Sequence, residues 1–175
     1  MRFIDRLRQE RGMTLVELMM AALICGVGIM ATIAVLDTSR EVSVKAEYRE
    51  AMSHQAEREI ERIMELPWAE FAHTAAPASS PTQGHPASYV NGNSYAYDRN
   101  APAATEPFAI ETTGLVAATS SAWTDGQARL GGNVFRFVTQ VNTNARRITV
   151  VVAGTGANAP APVLVSSIKT RPNLS

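Results

Sequence analysis

The chain has 175 residues, with 16 basic and 16 acidic side chains and a single cysteine. This length allows one modest domain and an additional segment, and the balanced charge excludes the strongly basic composition of a dedicated nucleic-acid binder. One cysteine excludes an internal disulfide framework and a cysteine-based zinc site.

The N-terminus begins with a short basic leader, residues 1–12, whose four arginines and two acidic residues give a net charge of +2. The next segment, residues 13–36, contains only one formal charge, that of Glu17. A helix of this length spans about 36 Å, more than the roughly 30 Å of a hydrocarbon core. A buried core helix is the alternative, but a helix that is apolar on all sides needs a larger protein around it. We therefore predict a transmembrane helix.

The arginines that precede the apolar segment predict the topology of the protein. Positive charges flank the cytoplasmic side of membrane helices, so the N-terminus is expected in the cytoplasm and the rest of the chain is exported. No small-residue cleavage site follows the segment, as it would in an ordinary secretory signal. The protein is thus predicted to be a single-pass inner-membrane protein that keeps its anchor.

The sequence GMTLVE at residues 12–17, after the basic leader, resembles the signal of type IV pilins and type II secretion pseudopilins. The resemblance implies that a prepilin peptidase cleaves between Gly12 and Met13 and methylates the new amine of Met13. The pattern departs from the family at Met13, where phenylalanine is commonest. Glu17 then becomes the fifth mature residue, implied to pair with the N-terminal amine of a neighbouring subunit. A solvated glutamate at the membrane interface is the alternative interpretation.

Small residues in the apolar segment suggest close packing between helices. Ala22 and Gly26 form a small-xxx-small pair, although such pairs are common in membrane helices. Cys25 is interpreted as a small apolar packing residue rather than a lipidation site.

Residues 37–71 are predicted to form an amphipathic stalk helix. Pro67 is its expected stop, and the acidic residues of EREIERIMELPWAE (57–70) are interpreted as a solvated face. The apolar residues at helical spacing are Tyr48, Met52, Ala56, Ile60, Ile63 and Met64.

Residues 72–107 are rich in alanine, proline and serine and are predicted to form a long loop. The stretch SYAYD at 94–98 is a candidate edge strand within it. Because the corresponding region is variable and displayed on the surface in pilins, we expect partner-specific contacts here.

Residues 108–175 are predicted to form an antiparallel β head with strands at 133–141, 146–154 and 162–170. A fourth strand is considered near 108–117. Phe135, Phe137 and Val141 alternate with Arg136 and Gln140, which predicts one buried face. That face is expected to pack on the apolar stripe of the stalk, which gives an α+β fold of the type IV pilin kind.

No residue pattern in the chain indicates catalysis or a bound cofactor. His54, His73 and His85 lack the partners of a metal site, and the serines have no nucleophile-elbow pattern. We therefore expect no enzymatic activity, no cofactor and no metal. A modest basic patch that could contact DNA phosphates is weighed against ordinary strand-flanking charges; its residues are Arg146, Arg147, Lys169 and Arg171.

These features together predict a minor pilin or pseudopilin that assembles into a type IV-like filament. The Met13 start, AEREIERIMELPW and the three-strand tail resemble PilV-type minor pilins most, with the I-type pseudopilin of type II secretion close behind. The implied partners are prepilin peptidase, other pilin subunits, membrane lipid and, indirectly, the assembly ATPase and platform protein. A membrane-anchored adhesin or DNA-uptake receptor is the alternative class.

Overall fold

The computed structural model describes residues 14–101, 103–125, 130–156 and 159–172. Its longest element is the helix α1, which runs over Leu15–Met64. The chain divides into two compact units, Met1–Val44 and Lys45–Ser175, and α1 passes through both. The helix ends three residues before Pro67, whose ring and missing N–H prevent a helix from continuing. The predicted transmembrane segment and the predicted stalk thus share one helix.

Among the described residues, seven strands follow α1 and form two antiparallel sheets. The smaller sheet has the order β1-β2-β3, with bounds Val90–Asn91, Ser94–Ala96 and Thr105–Pro107. The larger sheet has the order β4-β5-β6-β7, with bounds Ser121–Thr124, Gly131–Asn142, Ala145–Gly154 and Val163–Thr170. A long N-terminal helix with antiparallel sheets confirms the predicted α+β class.

A first core, the helix-side core, lies between the C-terminal part of α1 and one face of the larger sheet. The helix contributes residues of the predicted apolar stripe, which are fully buried or nearly so. Their partners on the sheet are mostly β-branched residues, which pack well on a pleated surface. The principal members are Tyr48, Met52, Ala56, Ile63, Val134, Val138, Ile148, Val150 and Val152.

A second core, the outer core, lies on the opposite face of the larger sheet. Tyr95 of the smaller sheet stacks on Phe137 of β5, with ring centroids 4.1 Å apart. Phe108 and Val151 complete its centre. The larger sheet is therefore covered on both faces, by α1 on one and by the smaller sheet on the other.

The prediction of which face of β5 meets the helix was wrong. Phe135 and Phe137 belong to the outer core, whereas Val134 and Val138 pack in the helix-side core. The alternation was misleading because Arg136, on the helix-side face, is 7% exposed rather than solvated. A buried arginine needs a buried partner, which the sequence pattern alone did not reveal.

That partner is Glu59 of α1, which corrects the interpretation of residues 57–70 as a wholly solvated face. Arg136 Nε donates to Glu59 Oε1 at 2.5 Å, and Arg62 Nη2 donates to the same oxygen at 2.6 Å. Burial alone raises the pKa of Glu59, but the hydrogen bonds and charges of the two arginines outweigh it and lower the pKa below its usual range. The pair ties the helix to β5.

Two predictions about the minor strands also need correction. Ser94–Ala96 is the central strand of the smaller sheet, not an edge strand, and the region 72–107 contains this sheet rather than only a loop. The fourth strand of the larger sheet is Ser121–Thr124. The predicted region, 108–117, instead provides two isolated bridges, Phe108 to Thr139 and Ile110 to His73.

Candidate functional site

The N-terminal part of α1 is an apolar surface that the chain itself leaves uncovered. Every residue from 14 to 47 is exposed, including Leu18, Leu23 and Ile29, each more than half exposed. Among the described residues, Leu15–Met64 is the one helix long and apolar enough to cross a membrane. An exposed apolar surface of this extent marks a site for lipid or for other protein surfaces.

Glu17, the single charged residue between positions 14 and 36, is held in a local hydrogen-bonded arrangement with Thr14. The Thr14 N–H donates to Glu17 Oε2 at 2.9 Å, and the Thr14 hydroxyl donates to the same oxygen at 3.0 Å. In return, the Glu17 N–H donates to Thr14 Oγ1 at 3.3 Å. This reciprocal pattern is a capping box, and it fixes the first turn of α1.

The capping box also places the Glu17 carboxylate where the helix dipole favours negative charge. The spacing Thr-x-x-Glu is visible in the sequence and is the signal that could have found it. The two Thr14 donors provide part of the hydrogen bonding that the carboxylate would lose in an apolar environment. They supply no positive charge to balance it.

The remaining residues predicted for processing and helix packing are only partly described. Gly12 and Met13 lie outside the described residues. Ala22 and Gly26 are exposed on α1, and a Cβ added at Gly26 would meet no atom within 4 Å. Space for a neighbouring helix therefore exists at Gly26, and packing through this pair stays a prediction.

Three of the four residues of the predicted basic patch make contacts inside the head instead. Arg146 donates to the backbone oxygens of Trp68 and Phe71 and to Glu111 Oε1 at 2.7 Å. Arg147 donates to both Glu106 oxygens, each at 3.2 Å. These contacts attach the turns after α1 and the smaller sheet to β6.

Lys169 of β7 caps the C-terminal end of α1. Its Nζ donates to the backbone oxygen of Met64 at 2.7 Å and also to that of Leu66. Partial burial lowers the pKa of this lysine. Arg171 alone of the predicted patch is exposed, so these residues do not form a cationic surface available to nucleic acid.

The three histidines have separate environments. His54 lies on the exposed face of α1, between Glu50 and Glu57 at 3.7 Å each. His85 packs edge-on against Phe135, with ring centroids 4.9 Å apart. Within the described part of the chain, no group of three histidine, cysteine or acidic side chains could hold a metal ion.

His73 is fully buried and bridges two backbone groups. Its Nδ1 lies 2.9 Å from the oxygen of Val116, and its Nε2 accepts the N–H of Val138 at 2.9 Å. This pair of contacts requires the neutral tautomer with the proton on Nδ1. Burial lowers the pKa of His73 to about 4. Sequence reasoning missed this role because both partners are distant backbone groups.

Comparison with known proteins identifies one feature. The family described as the prokaryotic N-terminal methylation motif matches residues 7–33, which include the end of the basic leader, Glu17 and most of the apolar segment. No curated protein and no solved structure significantly matches the chain.

Proposed function

We propose, from the type IV pilin and pseudopilin signature that this membrane-anchored chain carries at its N-terminus, that it is a minor pilin or pseudopilin. In this role the precursor lies in the inner membrane with its N-terminus in the cytoplasm. Prepilin peptidase cleaves it between Gly12 and Met13 and methylates the amine of Met13. The mature chain then enters a type IV-like filament as a structural subunit without enzymatic activity.

The observation that carries the proposal is the coincidence of the methylation motif with an exposed apolar helix. The motif ends inside α1, whose residues 15–47 are all exposed. The α+β layout, a long N-terminal helix with antiparallel sheets, is like that of type IV pilins. A filament core of neighbouring helices would cover this surface once the subunit leaves the membrane.

Assembly is proposed to depend on the charge of Glu17. Its contacts with Thr14 are hydrogen bonds only, so the negative charge lacks a cation in them. A buried charge is costly unless it is paired, and the amine of Met13 on an adjacent subunit is the proposed counter-charge. The PilV-type and I-type assignments stay predictions within this proposal.

The proposal is tested by intact mass and N-terminal sequencing of the protein from the membrane fraction. A chain that starts at methylated Met13 supports it. A retained Met1, or a cut after residue 36, contradicts it. Co-purification of the mature chain with sheared surface or periplasmic filaments then separates a filament subunit from a membrane-anchored adhesin.

A further inference from the structure

A cavity of about 280 Å³ lies in the head where β4 separates from β5. The two strands pair only from Ser121–Val134 to Thr124–Gly131. Beyond this point residues 118–120 and 135–137 diverge and line the cavity, together with residues 77–80. The cavity thus occupies the position that a longer β4 would fill.

The edge of β5 beside this cavity offers backbone groups for pairing. The N–H of Val138 donates to His73 and its oxygen accepts from Ala109, so both point away from β6. Backbone groups alternate in direction along an antiparallel ladder, which directs those of Arg136 to the same side. No strand in the described part of the chain pairs with Arg136 on that side.

Arg136, which also lines the cavity, has a side-chain donor without a partner. Its Nε is bound to Glu59, and its Nη2 donates to the Ser121 hydroxyl at 2.7 Å. Its Nη1 is buried without a partner among the described residues. A buried N–H without an acceptor is destabilising, so this nitrogen would gain from an acceptor supplied by a ligand.

The local charge favours a negative ligand. Glu59 is the shared acceptor of Arg136 and Arg62, so one negative charge faces two positive charges. An acidic side chain brought into the cavity would balance the excess and accept from Nη1.

The walls of the cavity suit a short extended peptide rather than a bare ion. Pro77 and Phe135 provide apolar contact, while Ser79 and Thr119 provide hydroxyl groups at the exposed side. Residues directly opposite each other in an antiparallel pair place their side chains on the same face. A peptide residue opposite Arg136 would therefore direct its side chain toward the guanidinium group.

We propose that this cavity binds an extended acidic peptide segment of a partner protein. The peptide pairs with the edge of β5 at Arg136 and places a glutamate or aspartate against Arg136 Nη1. This inference goes beyond the filament role and concerns a binding activity of the head.

The test uses the full chain, ¹⁵N-labelled in detergent micelles, and an acetylated and amidated peptide Thr-Ala-Glu-Ala-Thr. We expect the amide signals of residues 135–137 to shift on titration. The same peptide with Gln in place of Glu should bind about tenfold more weakly, because it lacks the charge-assisted hydrogen bond. Sodium acetate at the same concentration should produce no such shifts.

Two matched variants locate the site without altering the Glu59–Arg136 pair. Thr119→Trp blocks the cavity and should weaken peptide binding by at least about tenfold. Thr112→Trp alters another exposed threonine before β4, outside the cavity lining, and should leave binding unchanged.

Three outcomes would overturn the proposal. The first is that the peptide shifts no amide signals of residues 135–137, and the second is that Thr119→Trp leaves peptide binding unchanged. The third is that acetate produces shifts equal to those of the peptide, which would indicate a simple anion site. None of these readouts involves processing or filament assembly. A negative result would therefore contradict peptide binding by the head but not the proposed filament function.

Discussion

His73 provides a pH-dependent element in the head because its neutral form alone fits its two partners. Protonation of Nε2 would turn this acceptor into a donor, so its N–H and the N–H of Val138 would face each other. The pKa is about 4 in the folded protein, against 6.5 for a histidine in an unstructured chain. The unfolded chain therefore binds the extra proton first as the pH falls. We expect the free energy of unfolding to decrease between pH 6.5 and 4, by about 3 kcal/mol in total.

Urea denaturation of the wild type and of His73→Gln over this pH range measures the effect. The variant should be less stable at pH 7. The slope of its unfolding free energy against pH should be smaller than that of the wild type, by the amount that corresponds to about one bound proton. His54→Gln is the matched control, because His54 is exposed on α1. Equal pH slopes for the wild type and His73→Gln would contradict the assignment.

The capping box allows the charge of Glu17 to be separated from its hydrogen bonds. Glu17→Gln keeps an acceptor for Thr14, because glutamine also serves in a capping box. We therefore expect helix formation and cleavage to persist, while incorporation into filaments falls about tenfold or more with the loss of charge pairing. Immunoblots of filament and membrane fractions measure this ratio.

Glu61→Gln, at an exposed position outside the apolar segment, is the control for Glu17→Gln and should assemble normally. Thr14→Val removes the hydroxyl but keeps the carboxylate charge. If Glu17→Gln is incorporated at the wild-type level, the pairing of this carboxylate with an amine is not required for assembly.

At the level of elements, the end of α1 depends on β7 through Lys169. The last carbonyls of a helix lack partners, and a cation there satisfies them and complements the dipole. Lys169→Met keeps the packing of the chain but removes both contacts with Met64 and Leu66. We expect a loss of about 1 kcal/mol in the free energy of unfolding. Arg171→Met, at an exposed position, should change it far less.

The elements themselves could largely be predicted from the sequence. The apolar segment, the stripe from Tyr48 to Ile63 and the β-branched runs each have a strong period, and the structure places helix and strands there. The pairing of faces could not be predicted in the same way. Arg136 and Glu59 both look like surface residues, and only their contact across 77 positions explains why both are buried.

The candidate site shows the same division between local and distant signals. The Thr14–Glu17 contacts span three residues and follow from a spacing that the sequence displays. The cavity beside Arg136 depends on where β4 stops pairing with β5, and no local pattern marks that point. Likewise, the contacts of Arg146 and Lys169 could not be predicted, because both side chains bind backbone oxygens far away in the sequence.

At the level of the whole molecule, the chain divides at residue 45 into an N-terminal unit with an exposed apolar helix and a unit that contains the sheets. Both cores lie within Lys45–Ser175, and the side chains of residues 14–44 are all exposed. We expect a fragment of residues 45–175 to be soluble and to unfold cooperatively, with a stability of about 5–15 kcal/mol. Near-UV circular dichroism and urea titration measure both properties.

A shorter fragment, residues 56–175, is the matched control for this prediction. It lacks Tyr48 and Met52, which are buried in the helix-side core at 6% and 0% exposure. Loss of two large core side chains exposes one face of the sheet and costs several kcal/mol, about 2–5 for each such residue. The shorter fragment should therefore aggregate or lose its near-UV signal. A fragment 45–175 that behaves in the same way would show that the head needs the membrane segment to fold.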